Sequence, residues 1–136
     1  MPGKIITTYI SNVQNIKNES FFKSAVKLYI ARGNKPMHEL APLGFKQIID
    51  LAPTYDLLQL YQGQKIDWEN YVIFYRKQMT NAKGTYDMAN LISKRLGEGK
   101  TLILCCYEKD HKQCHRFILS NFFTEIGYEC CEYRRG

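Results

Sequence analysis

Between residues 106 and 116 the chain reads Cys-Tyr-Glu-Lys-Asp-His-Lys-Gln-Cys-His-Arg, a stretch crowded with groups that ionise, bind metals or attack electrophiles. Cys114 followed directly by His115 suits a nucleophile: a thiol in the positive potential of an early helix is acidified, and a neighbouring imidazole can serve as base. Glu108 can exchange a proton, orient an arginine or accept a hydrogen bond from a hydroxyl. Lys109, Lys112 and Arg116, together with the free N–H groups of a helix start, would make an anion site. His111, Cys114 and His115 stand at i, i+3 and i+4, a spacing that can hold zinc with Cys106 as fourth donor. Against zinc, the chain has no second CxxC or HxxxH element and Arg116 would repel a cation, so we expect neither a metal nor a cofactor. Nor is this the phosphatase loop that an arginine closes, because Cys106 precedes Arg116 by ten positions and Cys114 by two. Set against these roles are plainer ones: solvated lysines, an Arg116 paired with a carboxylate, and a Cys114 that only packs.

The elements around this segment decide which groups can meet. Lys100 to Tyr107 is a continuous apolar run, the pattern of a central strand covered on both faces. Asp110, with Gln113 three residues on, resembles a capping box for a helix over His111 to Ile126, which Gly127 ends. Lys4 to Ile10 and Ala25 to Ala31 read as earlier strands, and Tyr128 to Tyr133 as the last. The second strand runs into the basic loop Arg32-Gly33-Asn34-Lys35-Pro36. Asn12 to Asn18 reads as a turn, and Glu39 to Gly63 as short helices broken by Pro42, Gly44 and Pro53. Asp67 should cap a helix over Trp68 to Asn81, in which Trp68, Tyr71, Val72 and Tyr75 make a core face rather than a stacking surface. Thr85 should cap another over Tyr86 to Leu96. Strands alternating with helices predict an α/β fold: one three-layer domain over residues 1–136, with a small, mainly parallel sheet flanked by helices.

Composition supports a self-sufficient core. The 136 residues are 45% hydrophobic and 24% charged, enough apolar surface to offset the ordering entropy of one domain. No apolar run nears the roughly 18 residues that span a bilayer, and no signal-peptide core follows Met1. Five cysteines, with Cys105–Cys106 and Cys130–Cys131 adjacent, suit reduced thiols in a cytoplasmic protein better than a secreted disulfide framework. A net charge of +6 favours anionic partners.

The run Leu104-Cys105-Cys106-Tyr107-Glu108-Lys109, followed by Cys114-His115-Arg116, resembles the CYEK…CHR signature of the domain of unknown function 488 family. Upstream pieces are similar to its shorter members: Thr7-Thr8-Tyr9, Ile30-Ala31-Arg32, Leu51-Ala52-Pro53 and Gly63-Gln64-Lys65-Ile66-Asp67-Trp68. Asn121-Phe122-Phe123 stands where many members carry an acidic residue and a tryptophan. Within the signature fall Cys114 and His115, whereas His111 lies in its variable stretch. The resemblance implies a small α/β domain of cellular or viral origin and no particular reaction.

Function therefore rests on the chemistry of the junction. In an open parallel sheet, ligands bind outside the C-terminal ends of the strands. We expect a nucleotide-like, phosphate-bearing small ligand there, contacted by Thr8, Tyr9, Arg32, Cys106, Tyr107, Glu108, Lys109, His115 and Arg116. If the ligand is processed rather than only held, Cys114, His115 and Glu108 are the catalytic candidates. The expectation requires the amides opening at Asp110, the Arg116 guanidinium and Arg32 to share one hollow. Two other classes compete: a nucleic-acid-binding module, suggested by Lys94, Arg95, Arg134 and Arg135 away from the hollow, and a protein-interaction inhibitor that uses exposed aromatics. The sequence leaves the oligomeric state open.

Overall fold

A computed structural model describes residues 2–110 and 113–134. Five strands, β1 (Lys4–Tyr9), β2 (Val26–Tyr29), β3 (Lys46–Gln47), β4 (Leu102–Cys106) and β5 (Glu129–Glu132), form one all-parallel sheet in the order β3-β2-β4-β1-β5. The run that reads as a central strand is central: all five residues of β4 are buried, between β2 and β1. Alternation along β4 sends Leu102, Leu104 and Cys106 to one face and Ile103 and Cys105 to the other, each into its own core.

The helices are α1 (Val13–Ile16), α2 (Met37–Leu40), α3 (Tyr55–Gln62), α4 (Trp68–Asn81), α5 (Lys83–Gly97) and α6 (His115–Glu125). Residues of α3, α4, α5 and α6 pack with Leu104 and Cys106, while Val13 and Ile16 of α1 and Leu40 of α2 pack with Ile103 and Cys105. This division follows from handedness. Connections β1→β2 and β2→β3 move one way along the sheet and β3→β4 and β4→β5 the other, so right-handed crossovers put their helices on opposite faces. The chain is thus a three-layer α/β domain. Among the described residues, no helix is long and apolar enough to cross a membrane.

Local chemistry sets most boundaries. Asp67 caps α4 as expected, its Oδ1 accepting from Asn70 N–H at 2.9 Å. Tyr71 and Tyr75 of the same helix are buried. Gly127 follows α6 at φ 106°, a left-handed value that glycine takes without a Cβ clash.

Several expectations need correction. Thr85 does not cap a helix: α5 starts at Lys83, and the Thr85 hydroxyl instead donates to the Asp50 carbonyl at 2.5 Å and accepts from Gln78 Nε2 at 3.0 Å. Residues 10–16 form a 3-10 turn and α1 rather than a plain turn. The two-residue β3 had no strand signal, since its backbone merely extends the ladder beside β2. The last long helix begins at His115, because Cys114 is extended (φ −128°, ψ 147°) and occupies the N-cap itself. Asp110 contributes its backbone carbonyl to a turn with Gln113 N–H at 3.3 Å. His111 and Lys112 lie outside the described residues, as does Arg135.

Candidate functional site

Strands β2 and β4 are neighbours, yet the chain leaves β2 toward one edge and face of the sheet and leaves β4 toward the other. Their C-terminal ends therefore part, and a crevice opens between them. A cavity of about 530 Å³ occupies this point, walled by Tyr29 at the end of β2 and Ala31, Arg32 and Gly33 beyond it, Tyr107 and Glu108 after β4, Cys114 and His115 at the start of α6, and Leu58 and Tyr61 of α3. Ile30, between Tyr29 and Ala31, is off the wall and packs into the core with Leu104 and Cys106. The Tyr61 hydroxyl, 3.3 Å from Gln113 Oε1, joins α3 to the loop before α6 across the rim.

Cys114 and His115 are buried at the floor, 3% and 4% exposed. The imidazole is fixed twice over. Its Nε2–H donates to the Ile30 carbonyl, and the ring meets Tyr75 edge-on at 5.6 Å between centroids. That bond settles the tautomer and leaves Nδ1 facing Cys114 Sγ at 3.7 Å. Glu108 Oε2 stands 3.7 Å from the same sulfur, and Cys106 Sγ lies 3.5 Å from His115 Nε2.

The electrostatics follow from these contacts. Burial alone would raise the Cys114 thiol pKa, but a hydrogen bond from Cys106, the His115 imidazole and the Arg116 charge outweigh it and hold it well below the ordinary 9.0. Burial would lower the His115 pKa, but Cys114 overcomes this and raises it. Burial, the hydrogen bond to Cys114 and the Cys114 charge together push Cys106 far up, against the smaller opposing pull of Arg116, so it stays a thiol that donates to Cys114. The arrangement is a thiolate–imidazolium pair at a helix N-terminus, where the macrodipole also favours negative charge. Glu108 sits on an exposed loop, yet the surrounding protein desolvates its carboxyl and the Cys114 charge repels it, so its pKa is raised. A carboxyl of this kind can hold a proton for a departing group.

Arg116 lies elsewhere than expected. It is fully buried, with Nε and Nη2 on the Glu132 carboxylate at 3.0 and 2.9 Å, Nη1 on the Glu108 carbonyl at 2.6 Å and Nη2 on the Lys109 carbonyl at 3.1 Å. Tyr9 places its ring 5.7 Å below the guanidinium. These contacts pin the 108–109 loop to α6 and β5, and Arg116 does not line the cavity, although its charge still reaches Cys114. The expected hollow shared by the Asp110 amides, Arg116 and Arg32 is therefore not formed.

The other expected ligand contacts divide in the same way. Arg32, Tyr107, Glu108 and His115 reach the cavity wall, whereas Thr8, Tyr9, Cys106 and Lys109 do not. Thr8 and Cys106 have no exposed surface, and the Cys106 sulfur lies off the wall within 4.8 Å of that of Cys114. Arg32 is anchored by Nε donating to the Pro53 carbonyl at 2.7 Å. Lys35 and Tyr61 also line the cavity, and sequence reasoning did not select them. Lys35 had a signal, the basic Gly-Pro loop after β2; Tyr61 had none, because α3 reaches the site only through tertiary packing. Away from the cavity, Arg95 is paired with Glu98 at 2.9 Å.

Among the described residues, one group has the spacing of a metal site: donor atoms of Cys106, Cys114 and His115 lie within 4.8 Å of one another. Soft thiolate ligands would select zinc or another thiophilic ion. With Nε2 committed to Ile30, only Nδ1 of His115 is left to ligate, and the nearby Arg116 charge opposes a cation.

A family model described as the Active DUF488-N3 subclade matches residues 37–127, a span that takes in α2 to α6 and the whole cysteine–histidine cluster. No curated protein and no solved structure matches the chain.

Proposed function

The chain belongs to the domain of unknown function 488 family, within its active N3 subclade, and from its site we propose a thiol-dependent enzyme that processes a small, nucleotide-like, phosphate-bearing ligand. One observation carries the reading: Cys114 Sγ lies on the cavity floor, 3.7 Å from both His115 Nδ1 and Glu108 Oε2. A sulfur so placed is ionised when a ligand arrives, attacks from the floor, and has a protonated group on either side to supply the leaving group.

The ligand class is argued from the walls. Arg32 and Lys35 bring positive charge to the rim, and Arg32 is held by its Nε so that its planar head is directed rather than free to wander. Tyr61 and Tyr107 add flat apolar surface suited to a base or another ring. A volume near 530 Å³ lies in the range of small-molecule sites and suits a mononucleotide-sized ligand. The description of the matching subclade as active favours turnover over sequestration.

The test pairs ligand binding with thiol chemistry. Calorimetry against mononucleotides, dinucleotides, cyclic nucleotides and ADP-ribose derivatives should give heat for at least one class, and that compound should slow iodoacetamide labelling of Cys114. Absence of heat across the panel would remove the ligand class; slow labelling of Cys114 at neutral pH would remove the nucleophile.

A further inference from the structure

We propose that Cys114 and Cys106 form a peroxide-responsive pair: Cys114 takes the oxidant from the cavity, and Cys106 closes a disulfide onto it from behind. This rests on the reading of Cys114 as an available nucleophile and adds a reversible way of silencing it.

Access is asymmetric. Cys114 lines the cavity, whereas Cys106, the last residue of β4, has no exposed surface and lies off the wall. A hydroperoxide entering the cavity meets Cys114 first. The two sulfurs and a His115 nitrogen lie within 4.8 Å of one another, so bond formation asks for side-chain rotation rather than rearrangement of the sheet. Cys114 is placed to rotate, since it sits in extended backbone and its sulfur does not cap the helix. The remaining cysteines are poor competitors. Cys105 points into the opposite core, and Cys130 and Cys131 are on β5, beyond β1 at the sheet edge.

The steps balance. The Cys114 thiolate attacks one peroxide oxygen and the O–O bond breaks; sulfur becomes a sulfenic acid, and His115 protonates the departing alkoxide or hydroxide. Cys106 sulfur then attacks Cys114 sulfur, and the expelled hydroxide combines with the Cys106 proton as water. In all, two thiols lose two electrons and one peroxide gains them. The disulfide removes the nucleophile from the cavity, spares it from irreversible sulfinic acid, and returns it on reduction.

Peptide mapping reads this directly on the intact chain. Trypsin cuts after Lys109 and Lys112, so Thr101–Lys109 and Gln113–Arg116 stay together only if a disulfide joins them. After brief exposure to stoichiometric hydrogen peroxide, mass spectrometry without reductant should find that linked pair, lighter by two hydrogens than the sum of its thiols. Fragmentation, or the Cys105→Ala variant, assigns the bridge to Cys106. Iodoacetamide labelling of Cys114 should fall about tenfold and return in full with dithiothreitol. Gln113–Arg116 carrying sulfinic or sulfonic acid beside an alkylatable Cys106, or a bridge running to Cys131, would overturn the pairing. If Cys114 labels rapidly but no bridge forms, the pairing alone falls; if Cys114 resists both reagents, the proposed nucleophile falls with it.

Discussion

Arg116 of α6 and Glu132 of β5 form a closed pair inside the protein, two N–H groups meeting two carboxylate oxygens at 3.0 and 2.9 Å, with the side chains 0% and 9% exposed. Thr7 of β1 adds its hydroxyl to the same carboxylate at 2.6 Å. The arginine's other donors hold the Glu108 and Lys109 carbonyls, so one guanidinium ties the edge strand, the last helix and the loop that carries Glu108.

Removing one partner strands a buried charge. Arg116→Met or Glu132→Leu should each destabilise by about 3–5 kcal/mol, read from denaturant midpoints. The double variant Arg116→Met, Glu132→Leu should cost much less than the sum of the two, because no charge is left unpaired. Additive losses would show that the pair is not coupled.

The pH dependence of labelling separates an ionised Cys114 from a merely packed one. A thiol whose pKa is depressed in the folded state is already thiolate below 9.0, so its iodoacetamide rate should be level on the approach to that value, where an ordinary thiol's still rises, and fall only on further acidification. The stability contributed by this depressed group is present above the unfolded thiol value and is lost as pH falls through the folded one. His115 works in the opposite sense: its raised pKa contributes stability below 6.5 that is lost as pH rises through the folded value. For the two groups together, a folded thiolate–imidazolium pair binds as many protons as the unfolded thiol and neutral imidazole between 6.5 and 9.0, so the combined contribution is level there and declines on either side. Labelling that climbs steadily with pH toward 9.0 would contradict the ionised thiol.

His115→Gln removes the imidazolium beside the sulfur. The Cys114 pKa should rise, which slows labelling at neutral pH by about tenfold and restores a steep pH profile. An unchanged profile would leave His115 as a packing residue.

Arg32→Ala and Lys35→Ala should each weaken a phosphate-bearing ligand by about tenfold, the scale of one charge-assisted hydrogen bond, while labelling of the free protein at Cys114 stays unchanged. Added salt should lower affinity in the wild type more than in either variant. Calorimetry at two ionic strengths checks both; equal affinities in all three proteins would move the ligand away from this rim.

Gly3 offers a test of the fold rather than the site. A Cβ at this position would lie 1.7 Å from the Lys100 carbonyl oxygen, a backbone atom that cannot rotate away. Gly3→Ala should therefore shift the start of β1 against the turn before β4 and cost about 1–3 kcal/mol. A midpoint equal to wild type would show that this contact relaxes freely.

What residue order alone determined is local. The apolar run 102–106 is a buried central strand because five consecutive residues with no polar face have nowhere else to go. Asp67 opens α4 and Gly127 follows α6 because capping and left-handed backbone depend on near neighbours. The adjacency of Cys114 and His115 is likewise written in the chain. Tertiary structure alone decided what those groups face. Glu132 reaches Arg116 only once β5 lies beside β1, and this turns an expected ligand contact into an internal strut. Ile30 orients the imidazole from a segment 85 positions away. Lys35 and Tyr61 meet at the cavity because the chain leaves β2 and β4 in opposite directions. Short-range order follows from covalent neighbours and periodicity; the pairing of buried charges follows from which surfaces the whole core brings together.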